Sequence, residues 1–204
     1  MPLVRKDRAP VHGAPSSSAL LTAESADARW SAARALGSGP GDVEALGAAL
    51  ATEPDARVRE AILTSLARTG GGDAWDIIAP YLRSDDAQIR TGAMDALGAM
   101  PQALLARLPD LLRDADPDVR ILCCELARRI PAEAAERLLA EVIQQDPEVN
   151  VCAAAVEVLA EIGGRGALPA LSACAARFAE EPFLVFSIHA AIERIAAEAP
   201  GARG

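Results

Sequence analysis

The chain has 204 residues, 51% of them hydrophobic but only 3% aromatic, and a formal net charge of −9. Three Phe, two Trp and one Tyr are too few to build sheets, whereas the abundant Ala, Leu, Glu and Arg favour helix. An excess of acid, 29 Asp and Glu against 20 Lys and Arg, excludes nonspecific nucleic-acid binding and attraction to an anionic membrane surface, both of which need clustered base. No apolar run approaches the roughly 18 residues of a membrane span, and no secretory signal opens the chain, so the expected compartment is the cytoplasm.

Residues 1–18, MPLVRKDRAPVHGAPSSS, mix Pro, Gly and Ser with a basic cluster (Arg5, Lys6, Arg8) and show no periodicity; they read as a disordered basic tail. From residue 19 one pattern recurs. It is faint in SADARWSAARALGSG (Ser25–Gly39) and clear in PDARVREAILTSLARTG (Pro54–Gly70), DDAQIRTGAMDALGAMP (Asp85–Pro101), ADPDVRILCCELARRIP (Ala115–Pro131) and DPEVNVCAAAVEVLAEIG (Asp146–Gly163). It fades again in EPFLVFSIHAAIERIA (Glu181–Ala196). Aligned on one apolar anchor, the copies fall at Ala28, Val58, Ile89, Val119, Val151 and Leu184, steps of 30, 31, 30, 32 and 33 residues. Such self-similarity signals stacked supersecondary units, here an array over 19–198 with a frayed end at 199–204.

Each copy reads as a helix. Asp55, Asp86, Asp116, Asp146 and Glu181 stand as cap residues, and Pro117 and Pro147 sit at first helical positions where a missing N–H costs nothing. The segment before each copy reads as a partner helix, as in AEAAERLLAEVIQQ (132–145), so a unit is a helical hairpin. Gly70–Gly72 and Gly163-Gly164 are expected as turns. Pro80, Pro109 and Pro169 are expected to bend the partner helices at one common place. Asp55/Arg59, Asp86/Arg90 and Asp116/Arg120 are spaced i,i+4, which predicts pairs on one helix face that stacking joins into a structural ladder.

DPDVR…CCELARRIP and RVREAILTSLARTG resemble the HEAT repeat, in the short bacterial form also found in phycobilin lyase subunits. The resemblance covers about residues 20–198. It implies an all-α, curved, right-handed α-solenoid of about six hairpins, and it implies little about function because the motif residues are structural. Cys152 and Val185 replace the repeat's arginine in the last two units, and the fifth unit carries two extra residues, so the C-terminal end is expected to stack less regularly.

Catalytic signals are sparse. His12 lies in the tail, and His189 falls five places after its anchor, where other units hold Ala33, Leu63, Met94, Cys124 and Val156; these are core slots, so His189 reads as a packed or partly exposed histidine and not as a base or ligand. Cys123, Cys124, Cys152 and Cys174 lack metal-ligand spacing and read as buried reduced thiols. No HExxH, P-loop or GxGxxG stands in a supporting context. The expectation is therefore no enzyme, no metal and no cofactor.

Places +2, +6 and +10 from each anchor share a helix face outside the apolar stripe. If the second helices line the inner curve, as in HEAT-like arrays, that face carries an acidic stripe of Asp95, Glu125, Glu157 and Glu161. Arg68 and Arg129 flank it, and Trp30, Ile121 and Phe186 serve as apolar anchors. This predicts a scaffold or adaptor that docks a partner protein with a basic or amphipathic segment on its concave face. The basic tail is a possible competitor for the same stripe. The resemblance also implies an alternative: a bilin-lyase-like accessory protein that handles a tetrapyrrole or its acceptor protein.

Overall fold

The computed structural model describes residues 16–37, 39 and 41–197, and the helices among them pair into six hairpins. The first is α1 (Ser17–Leu20) with α2 (Ala26–Ala35), the second α3 (Asp42–Leu50) with α4 (Ala56–Thr69), and the third α5 (Gly71–Ile78) with α6 (Ala87–Gly98). Then follow α7 (Pro101–Leu111) with α8 (Pro117–Leu126), α9 (Ala132–Gln145) with α10 (Val149–Ile162), and α11 (Leu168–Arg177) with α12 (Pro182–Ala197). The fold is an all-α solenoid. The expected tail lies outside the described residues except at its end, where Ser16 caps α1 by accepting from the Ala19 N–H at 3.3 Å. The expected frayed end lies outside them entirely.

The repeat register holds in the core. Val58, Val119 and Val151 are fully buried, and Ile89 and Leu184 nearly so; only the small Ala28 is half-exposed. The buried side chains form one continuous cluster along the whole stack. Successive second helices of the hairpins lie closer together than successive first helices, so the stack bends toward the second-helix layer, α2, α4, α6, α8, α10 and α12, which forms the inner face. The C-terminal end does not stack loosely, as its irregular spacing suggested: α10 packs closely on both α8 and α12, and the loosest seam between second helices is α6–α8.

The capping aspartates act as expected in units two to four. Asp55 accepts from the Arg57 and Val58 N–H groups, Asp86 from Gln88 and Asp116 from Asp118, at 2.8–3.2 Å. The fifth unit differs: Glu148 is the N-cap residue, and Asp146 lies two places before it, accepting the Glu148 N–H at 2.9 Å. Glu53, Ser84 and Asp114 occupy that same pre-cap place and accept from the cap N–H groups of Asp55, Asp86 and Asp116.

The arginine ladder forms, but not within helices. Each aspartate is turned onto its own helix N-terminus, while the arginine four places on reaches the other way. In units one, two and four it binds carbonyls of the loop within its own hairpin and an acid of the next unit. Arg29 makes a bidentate pair with Glu53, both bonds at 2.8 Å, and holds the Ala23 and Glu24 carbonyls. Arg59 bonds the Glu53 and Pro54 carbonyls and pairs with Asp86 at 3.2 Å. Arg120 grips Asp146 at 2.7 and 3.0 Å and bonds the Asp114 and Ala115 carbonyls. Arg90 keeps only the loop bond, to the Ser84 carbonyl. In unit five Cys152 stands in the arginine's place and its thiol faces the Asp146 carbonyl at 3.5 Å. A guanidinium arrives instead from α11: Arg177 bonds that carbonyl at 2.8 Å and the Cys152 sulfur at 3.3 Å. The clamp on the loop survives by substitution from another helix.

The prolines do not repeat one bend. Pro80 opens a 3-10 segment, Ala79–Arg83, after α5; Pro109 lies inside α7; Pro169 sits in the first turn of α11. Gly70 and Gly71 have φ of 71° and 83°, conformations that suit glycine. Gly163 does not use positive φ. A Cβ there would sit 2.5 Å from the Leu159 carbonyl oxygen, so its role is close approach.

Two outcomes follow from this packing. Leu66 is fully buried, so Leu66→Asp places an unpaired charge in the core at a cost on the order of 4 kcal/mol, comparable with the ~5–15 kcal/mol that holds a domain together. Circular dichroism should show loss of helix at ordinary temperature; a fully helical variant would refute the register. Glu53 is held below the usual carboxylate range, first by its hydrogen bond from Arg29, against burial. Its folded value is depressed, so its contribution is present above the unfolded carboxylate pKa of about 4.3 and is lost as pH falls below it. Urea melts of Glu53→Gln should show a shallower loss of stability than wild type as pH falls below about 4.3; an unchanged slope contradicts this.

Candidate functional site

The inner face is built from the exposed flanks of the second helices. Most of the residues expected to form a free docking stripe turn out to be engaged with one another. Glu125, Glu157 and Glu161 converge on Arg128, which lies at +9 and so fell outside the face read from the sequence. Arg128 holds Glu161 in a bidentate pair at 2.8 and 2.9 Å, contacts Glu125 closely and lies 3.8 Å from Glu157. The Glu161 carboxyl is lowered by the Arg128 hydrogen bond. In the C-terminal half of the acidic stripe one guanidinium therefore gathers three carboxylates, and the cluster keeps a net negative charge. Asp95 pairs with Arg129 at 3.6 Å, both side chains well exposed, a contact worth little in water.

The expected anchors divide. Trp30 is half-buried, with the Arg34 guanidinium 4.7 Å and that of Arg57 5.9 Å from its ring centroid, so it is a stacking platform inside the protein. Ile121 is half-buried against the core. Phe186 is 74% exposed, as an anchor should be. Arg68 is a latch: its guanidinium donates to the Arg34 and Leu36 carbonyls at the C-terminus of α2, where a cation is favoured. Arg194 does the same for α10, donating to the Leu159 and Gly163 carbonyls. At +10, Arg68 and Arg194 thus tie their units to the last turn of the previous one, a role that spacing alone did not reveal.

One open feature remains on this face: the groove between α4 and α6. Its first half has a volume of about 530 Å³ and its second half about 320 Å³, and Glu60, Leu63, Gly92 and Asp95 line both. Gly92 makes the groove. A Cβ there would lie 2.8 Å from Leu63 Cδ1, so a larger residue would fill the groove floor and make the end of the Leu63 side chain shift; the glycine carries the usual helix cost of about 1 kcal/mol. Leu63 and Ala96 are buried beneath it, and Glu60 and Asp95 are exposed on its walls. Among the described residues Glu60 forms no ion pair. Sequence reasoning placed Glu60 on the right face but did not single it out; Gly92, a glycine inside a helical pattern, was the available signal.

The thiols lie in the core. Cys123 and Cys124 are buried and their pKa values are pushed up, foremost by desolvation, the latter to about 12. Cys174 is pulled down to about 7, first by its interaction with Cys152 and further by Arg177, yet it too is buried. His189 is exposed, not packed; the slot it occupies is covered in earlier units by the following hairpin. Among the described residues no cluster of three or more His, Cys, Asp or Glu could hold a metal ion, and no helix is long and apolar enough to cross a membrane.

None of the curated proteins compared with the chain matches it. Solved structures similar to it include an engineered protein, 21% identical, covering 89% of this chain and 95% of that one at a TM-score of 0.41. A designed armadillo repeat protein is 18% identical over 88% of this chain and 98% of its own, at 0.40. The complex of CpcE and CpcF of phycocyanin lyase from Nostoc sp. PCC7120 is 16% identical over 95% and 100%, at 0.40. The family model for HEAT repeats matches residues 15–98 and 104–181. With its register of buried anchors and six stacked hairpins, the chain belongs to the HEAT-repeat family.

Proposed function

We propose that the protein is a non-catalytic scaffold or adaptor that docks a partner protein through the inner-face groove between α4 and α6. The observation that carries this is a groove with an apolar floor, Leu63 and Ala96, whose walls mix Glu60 and Asp95 with Arg57, Arg59 and Arg68; those arginines serve Asp27, Asp86 and the α2 carbonyls, while Glu60 forms no ion pair among the described residues. The best fit is a segment that presents small or apolar side chains to the floor and Lys or Arg to Glu60 and Asp95. The rest of the inner face supports a binding role over a catalytic one. Its cations serve carbonyls or carboxylates within the protein, and its thiols are buried. The tetrapyrrole alternative asks for cations available to propionates beside an apolar cleft. In the cleft lined by Leu112, Leu138 and Val142, Arg113 is paired with Glu141 and Arg120 with Asp146.

The test is a capture experiment with wild type and Glu60→Lys/Asp95→Lys, both checked for equal helicity. Proteins retained by wild type and lost by the variant are the expected outcome, because both changes are on exposed positions and leave the core alone. An identical set of captured proteins contradicts the groove as the docking site. A shifted absorption band on adding bilin to wild type would favour the alternative.

A further inference from the structure

A second surface stands apart from the groove, at the C-terminal end of the stack, where the inner face meets the uncovered flank of α12. In each earlier unit the apolar side chains on one flank of the second helix are covered by the next unit. At +5 from the anchor, Ala33, Leu63, Cys124 and Val156 are buried and Met94 is half-buried; at +8, Leu36, Leu66, Leu97, Ala127 and Leu159 are buried. In α12 the same places hold exposed His189 and half-buried Ile192, because no described helix lies against this flank.

Two further residues go beyond an uncovered end. At −1 from the anchor every other unit carries a polar residue: Asp27, Arg57, Gln88, Asp118 and Asn150, all exposed. In α12 that place is Phe183, 89% exposed. Phe186 follows at 74%. Phe183, Phe186, Ala190 and Glu193 fall at i, i+3, i+7 and i+10, on one helix face. The −1 places of adjacent units meet elsewhere in the stack, as the Arg57–Asp27 ion pair shows. An element seated on α12 as the next helix of the stack would therefore bring its own side chain against Phe183.

Charge selects the occupant. Glu180 and Glu181 precede the aromatic pair and Glu193 follows it, all exposed. The nearby arginines face inward: Arg177 serves the Ile143, Gln144 and Asp146 carbonyls, and Arg194 those of Leu159 and Gly163. Two copies meeting through α12 would set acid against acid. We propose that the C-terminal end of the stack, where the inner face meets the uncovered flank of α12, is a second docking site, taking an amphipathic basic helix of another protein whose apolar residues seat on Phe183 and Phe186 as a following hairpin would.

The probes are three synthetic helical peptides: one with Leu at i, i+3, i+7 and i+10 flanked by Lys, one with Glu in place of Lys, and one with Ser in place of Leu. Binding is followed by calorimetry and by amide NMR shifts of the full chain. The Lys/Leu peptide should shift α12 resonances. It should bind at least about tenfold more tightly than either control peptide, and about tenfold less tightly to Phe183→Ser/Phe186→Ser. Both phenylalanines are exposed, so that variant keeps its fold. Glu60→Lys/Asp95→Lys should bind this peptide at α12 as wild type does, which separates failure here from failure of the groove. The proposal is overturned by no binding, by equal binding of the charge-reversed peptide, or by shifts confined to the α4–α6 groove. A wild-type dimer that Phe183→Ser/Phe186→Ser dissolves would overturn it in favour of a second copy.

Discussion

Each second helix of this protein is apolar on two flanks, and a single hairpin covers only one of them. Stacking is the solution, and nearly every other feature is a consequence. The buried anchors recur every 30 to 33 residues because each unit must offer the same flank to its neighbours. The core is one strip, not a ball, so its stability is a sum of neighbouring seams. Where a seam is made with glycine, at Gly92, it leaves a groove; where no described helix covers the flank, at α12, aromatic rings face water.

Polar side chains set the spacing between units. In units one, two and four the arginine of the first turn holds two carbonyls of its own loop and an acid of the next hairpin, which fixes the offset between units. Burial makes such pairs consequential: Arg120 and Asp146 lie mostly out of water, so removing either would strand the other. Exposed pairs such as Arg57–Asp27 add little, since solvent screens them. The replacement of the fifth arginine by Cys152, with Arg177 reaching in from α11, shows that the loop carbonyls are what must be satisfied, whichever helix supplies the donor.

Much of this was legible in the sequence. Val58, Ile89, Val119, Val151 and Leu184 announced the register, and Asp55, Asp86 and Asp116 announced the helix starts, because both depend on spacing along one helix. Pairings between helices were not legible. Arg59 takes Asp86 rather than Asp55, and Arg128 gathers Glu125, Glu157 and Glu161, because the offset between stacked units decides which charges meet. The recurring pre-cap acceptors Glu53, Ser84, Asp114 and Asp146 were a readable signal, five places before each anchor. His189 is exposed for a plain reason: a core slot is buried only when a neighbour arrives to cover it.

The stack itself is tested most directly by distances in solution between spin labels. Labels at Thr64 and, in turn, at Asp95, Glu125 and Glu157 occupy equivalent places in units two to five. Stacked second helices about 10 Å apart predict separations that rise by a nearly constant step with each unit crossed. Separations that fail to grow with unit number would contradict the solenoid and everything built upon it.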